Sequence, residues 1–122
     1  MSGRLRRDDE ASPFVTLDGS TIRELVHPSQ GAARAQSLAE ATVPPGCTTT
    51  LHRHHRTEEF YHLLRGRGRM HLAGEEFDVG PGDTVIIPPG TPHRIHNPGG
   101  QALVFLCCCA PAYDDEDTEL LE

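Results

Sequence analysis

Residues 46–66 read GCTTTLHRHHRTEEFYHLLRG, and residues 82–97 read GDTVIIPPGTPHRIHN. In the first stretch His52 and His54 stand two apart, the spacing that puts both side chains on one face of a β-strand. Thr48 and Thr50 share that parity, whereas Leu51 and Arg53 point the other way. The following segment offers Glu59, with Tyr61 and Leu63 on its own face. The second stretch offers His93, with Ile95 and Asn97 beside it. Three strands can therefore aim three imidazoles and one carboxylate at a common interior point. An isolated His-x-His pair in a chain of eight histidines can equally sit solvated, and the residues alone leave both readings open.

Working outward, the chain breaks into short apolar runs cut by turn residues, with 12 glycines and 10 prolines in 122 residues. That punctuation predicts an all-β sandwich or barrel. Strands are expected at 14–17, 21–26 (where a short helix is the alternative), 39–43, 48–54, 59–64, 69–72, 76–79, 84–87, 93–96 and 102–109. Ala73-Gly74 marks a hairpin, and Gly80-Pro81-Gly82-Asp83 a turn. The organisation expected is an N-terminal arm over 1–12, a barrel over 13–112 and an acidic tail over 113–122, with the chain leaving the core from Pro111 onward.

The punctuation around the histidines resembles that of the cupin superfamily. One motif of that family, G-x5-H-x-H-x3-4-E-x6-G, is matched by Gly46, His52, His54, Glu59 and Gly66. The other, G-x5-P-x-G-x2-H-x3-N, is matched by Gly82, Pro88, Gly90, His93 and Asn97. The resemblance implies a double-stranded β-helix, or jelly-roll barrel, of the small single-domain type seen in mannose-6-phosphate-isomerase-like proteins, often paired as a homodimer. It also implies one divalent transition metal ion (Fe, Mn, Ni, Zn or Cu) on His52, His54, Glu59 and His93. Glu58 is the rival carboxylate, but a shift of one residue turns it to the outer face. His55, His62 and His96 have the opposite parity and are expected on the outside, and His27 and His71 on the surface. The four glycines Gly46, Gly66, Gly82 and Gly90 are expected at barrel corners that need backbone freedom.

Composition narrows the function. Asp and Glu outnumber Lys and Arg 18 to 11, a formal net charge of -7, so nucleic acid and anionic membranes are set aside as partners. No run is long enough for a membrane span, and the N-terminal charges precede no apolar stretch of a secretory signal, so a cytoplasmic location is expected. Cys107, Cys108 and Cys109 are consecutive and so point alternately to opposite faces, a poor disulfide framework. C-x2-C zinc spacing is absent. Small thiols filling a tightly packed last strand are the expectation.

The implied ion, with four protein ligands, keeps places for an oxygen ligand such as a keto acid, hydroxy acid or enediolate. Two functions compete. One is a metal-dependent dioxygenase, isomerase or lyase acting on a small polar, anionic metabolite bound in the barrel, with Tyr61 as candidate acid or base, its phenol shifted down by the cation. The other is a non-catalytic module that binds a metal or small metabolite for storage or sensing. Tyr61 as a packed core side chain is the plainer alternative to its catalytic role.

Overall fold

The computed structural model describes residues 5–122. Eleven strands form two antiparallel sheets, with three short 3-10 turns and no α-helix among the described residues. In chain order the strands are β1 (Phe14–Val15), β2 (Thr21–Val26), β3 (Ser37–Val43), β4 (His52–His54), β5 (Glu58–Arg65), β6 (Gly68–Leu72), β7 (Glu75–Val79), β8 (Thr84–Ile87), β9 (His93–His96), β10 (Leu103–Ala110) and β11 (Thr118–Leu120). One sheet runs β1-β2-β3-β10-β5-β8 and the other β11-β4-β9-β6-β7. Packed face to face, they make the jelly-roll barrel that the motifs imply.

Alternation decides which side chains meet inside. β3 reads Ser-Leu-Ala-Glu-Ala-Thr-Val, with Ser37, Ala39, Ala41 and Val43 buried and their neighbours half-buried. β5 does the same with Glu59, Tyr61 and Leu63. β10 keeps Leu103, Val104 and Phe105 all inside, because its register to β5 shifts between Val104 and Phe105. Beyond that bulge Cys107 and Cys109 point inward and Cys108 outward, and all four cysteines are free. Leu63, Met70, Ile95 and Leu103 are fully buried and anchor the core away from the histidines. Each contributes about 1.5–3 kcal/mol by leaving water.

All four motif glycines have positive φ. At Gly66 the demand is also spatial, since an added Cβ would lie 2.7 Å from the Ala102 carbonyl oxygen. The β6–β7 hairpin turns on Ala73 (φ 52) and Gly74 (φ 83), the mirror-image turn that suits strand twist. Segment 21–26 is a strand, pairing with β3.

Two expectations fail. Segment 48–54 is not one continuous strand: Thr48 makes a lone bridge to His96, and regular pairing begins only at His52. Thr49 is the buried residue of the run, while Thr48 is exposed and Thr50 half-buried. The cause is local. Thr49 N–H donates to Ile95 and Thr50 N–H to Asp18, so the backbone turns between the threonines and His52. The tail also does not leave the core. Residues 118–120 return as β11 and pair with β4, Thr118 opposite His54 and Leu120 opposite His52. Asp117, just before it, is buried, and its carboxylate accepts from the Arg56 and Thr57 amides at 3.0 and 3.1 Å. At the other end, residues 8–10 form an exposed 3-10 turn that touches Arg23, and residues 1–4 of the expected arm lie outside the described part.

Candidate metal centre

The structure brings His52, His54, Glu59 and His93 together. One donor atom from each lies within 4.8 Å of every other, and all four side chains are buried. β4 supplies His52 and His54, β5 supplies Glu59, and β9 supplies His93 directly opposite His52. Glu58 points outward and is exposed.

Each imidazole is held by its far nitrogen. His52 Nδ1–H donates to the Thr50 carbonyl at 2.7 Å, and His93 Nδ1–H to the Thr91 carbonyl at 2.9 Å. A carbonyl only accepts, so these contacts fix the proton on Nδ1 and leave Nε2 bare. His54 Nδ1 meets the Thr118 hydroxyl at 2.9 Å. That hydroxyl gives its own proton to the Asp114 carbonyl, so its oxygen is free to accept from His54.

The three Nε2 atoms then face one another and Glu59. His54 Nε2 lies 3.1 Å and His93 Nε2 3.5 Å from Glu59 Oε1. His93 is wholly buried, and its Nε2 has no hydrogen-bond partner. Such an orphaned lone pair is costly unless something electrophilic meets it. The donor set of three neutral imidazoles and a carboxylate fits a divalent transition ion.

Electrostatics point the same way. Burial, and next the neighbouring His93, push the His52 imidazole below its ordinary value, so it favours the neutral, ligating form. Burial alone would raise the Glu59 carboxyl, but the His54 and His93 imidazoles, 3.1 and 3.5 Å from Oε1, outweigh it when they carry a second proton on Nε2 in place of an ion, and hold the group well below the usual carboxylate range. Cys109 Sγ donates to the other oxygen, Glu59 Oε2, at 3.3 Å. Burial, and next the Glu59 charge, push that thiol up, so it stays a thiol and orients the carboxylate.

Tyr61 lies at this site, its ring 4.5 Å from that of Phe105 and 5.8 Å from that of His93. Burial, and next Glu59, raise its phenol well above the usual value. That is the direction opposite to the one expected from a cation beside it, and it leaves the protein groups alone favouring the protonated donor.

Beside the cluster lies a cavity of about 50 Å³, bounded by His52, His54, Glu59, Tyr61, Cys107 and Phe105 on its inner side. Two acidic residues that sequence reasoning missed complete it, both from the N-terminal hairpin. Asp18 Oδ1 accepts from Ser20 N and Oγ at 2.9 and 2.6 Å, and its Oδ2 stands 3.9 Å from His52 Nε2. Glu24 lines the opening, together with Phe14, Thr16 and Tyr113, which also border an outer groove. No Lys or Arg lines the cavity. The Asp18-Gly19-Ser20 turn was a legible signal for an Asp side chain folded on its own backbone, but its approach to His52 has no local signature.

The outward histidines behave as parity demands. His55 is exposed, His62 meets Thr84, and His96 meets Thr48, each away from the cluster. His27 and His71 are half-buried, and His27 Nε2 contacts the Tyr113 carbonyl. No helix among the described residues is long and apolar enough to cross a membrane.

Comparison with known proteins follows the geometry. A family model described as a cupin domain matches residues 39–109. An uncharacterized protein of Methanocaldococcus jannaschii is 54% identical over 114 residues, covering 93% of this chain and 91% of its own. An oxalate-binding protein of Thermotoga maritima is 34% identical over 73 residues, 60% of each chain. Among solved structures, a predicted oxalate decarboxylase from Thermotoga maritima superposes with a TM-score of 0.76 at 26% identity, covering 88% of this chain and 98% of its own. A nucleoside dehydratase from Streptomyces reaches a TM-score of 0.79 at 17% identity, over 97% of this chain and 90% of its own, a likeness of fold.

Proposed function

This chain belongs to the cupin family, and we propose that it is a metal-dependent enzyme acting on a small oxygen-rich metabolite bound beside the ion. The observation that carries this is the orphaned Nε2 of His93, aimed at three further donors that themselves line a cavity with room for a ligand. A divalent ion bound there supplies Lewis-acid polarisation of a coordinated oxygen. The protein groups do the rest: Thr50, Thr91 and Thr118 hold the imidazoles in their ligating tautomer, Cys109 orients Glu59, and Phe105 with the apolar wall limits water. Tyr61, which lines the cavity, is the candidate acid.

The test is elemental analysis of protein purified without added metal, followed by aerobic and anaerobic turnover screens. One equivalent of a transition metal, lost on His52→Ala, is expected. Tyr61→Phe with unchanged metal content and unchanged turnover removes the tyrosine from the reaction.

The second reading, a module that holds a metabolite without transforming it, is favoured by the oxalate-binding relative from Thermotoga maritima. Full metal occupancy with tight binding and no turnover decides for it.

The partner proposed is a second copy. Ile86, Phe60, Cys108 and Leu38 are register neighbours across β8, β5, β10 and β3, on the outer face of the larger sheet. Ile86 is 60% exposed, and an apolar row of this kind suits a self-complementary two-fold contact. Sedimentation should give a dimer that Ile86→Lys converts to monomer. A wild-type monomer ends this proposal. A cytoplasmic location, the expectation from sequence, is proposed with it.

A further inference from the structure

The charges around the cavity are one-sided. Asp18, Glu24 and Glu59 face it, and no Lys or Arg does. A divalent ion is balanced by Glu59 and Asp18 together, so a dianionic ligand would add two uncompensated charges in a space screened from water. Each of the two carboxylates outside the ligand set also keeps an oxygen free to accept. Asp18 is anchored: Oδ1 is taken by Ser20, and its own carbonyl accepts the Thr50 amide at 2.8 Å. Its Oδ2 is thereby directed at the histidine cluster. Glu24 Oε1 is buried with no hydrogen-bond partner among the described residues. Burial raises the Glu24 carboxyl, and the nearby His27, which pulls it down, only partly offsets that.

Size adds a bound. One water needs roughly 10–15 Å³ of such space, so a cavity of about 50 Å³ suits a ligand of only a few heavy atoms.

We infer that this cavity selects a small uncharged hydroxy-carbonyl compound, whose carbonyl oxygen meets the ion and whose O–H groups donate to Asp18 and Glu24, over a dicarboxylate of the same size. This rests on the metal-centre reading and names its substrate class. Specificity then comes from the N-terminal hairpin, since its turn supplies Asp18 and β2 supplies Glu24.

Dihydroxyacetone and oxalate test this directly. Each has six heavy atoms, and they differ in charge and in hydrogen-bond donors. Binding of each to the full-length, metal-loaded protein is measured by calorimetry, with metal content determined on the same samples. The wild type should bind dihydroxyacetone at least tenfold more tightly than oxalate. Glu24→Gln, nearly isosteric, should weaken dihydroxyacetone about tenfold or more and tighten oxalate, with metal content and melting temperature unchanged. Asp18→Asn should shift both ligands the same way, and it serves as the second variant should either one fail to fold. A fully metallated wild type that prefers oxalate or binds neither probe, or folded variants with unchanged selectivity, overturns this inference and leaves the metal centre standing. A wild type that holds no metal overturns both.

Discussion

The middle of the chain and its two ends contribute to the same centre in different ways. Residues 52–93 supply every candidate ligand from strands whose alternation aims them inward. The ends supply what surrounds those ligands: Asp18 and Glu24 from the N-terminal hairpin, Thr118 from the last strand. Ligand identity is thus a matter of local spacing, whereas ligand posture and cavity chemistry come from segments far away in sequence. His52 and His93 show the contrast within the cluster itself. Each leans on a carbonyl two residues before it, while His54 leans on a hydroxyl 64 residues after it.

The sharpest break of the comparison is in the middle. His93→Ala removes a buried donor and should lower metal affinity by more than about 100-fold, measured by competition with a chromogenic chelator. At the C-terminal end, Thr118→Val removes the acceptor that holds His54. It should lower affinity about 10–100-fold while leaving the sheet intact by circular dichroism. A Thr118→Val protein with wild-type affinity means that the end is only a cover.

Asp117→Ala tests the same end through stability. It removes a buried carboxylate that accepts from Arg56 and Thr57, and should cost about 1.5–3 kcal/mol in urea denaturation.

The smallest effect expected is the pH response of the metal-free protein. His52 has a folded pKa below its unfolded value, near 6.5, so below that pH the unfolded chain takes up a proton that the folded one resists. Glu59 has a depressed folded pKa, so its contribution is present above the unfolded carboxylate value and is lost as pH falls toward the folded one. Both signs agree. The melting temperature should fall from pH 7 to 5 through His52, and further below pH 4.5 through Glu59. Saturating metal should steepen the fall, because protons compete for the imidazoles.

How much of this was legible follows from the same division. The four clustered side chains, the alternation of Cys107 to Cys109 between opposite faces, and the outward His55 were readable, because parity and motif spacing act over a few residues; which two thiols face inward was not. Thr48 and Thr50 were misassigned because pairing with Ile95 and Asp18 turns the backbone before His52, and parity holds only along an unbroken strand. β11 was missed because Asp114 to Asp117 reads as a solvated acidic run; only docking on the Arg56 and Thr57 amides makes its last member a buried group. Asp18 and Glu24 reach the cavity through the pairing of β2 with β3, which no local pattern records.

The position of β10 has a consequence for synthesis. This strand lies between β3 and β5 in the larger sheet, yet it is made after both, and β11 follows later still. A nascent chain that has already displayed its histidines lacks the strand that joins the two halves of the larger sheet, and the hydroxyl that orients one of them. Closure depends on contacts distant along the chain, which are slow to form. The four candidate ligands and the residues that orient them therefore come together as one centre only in a finished polypeptide.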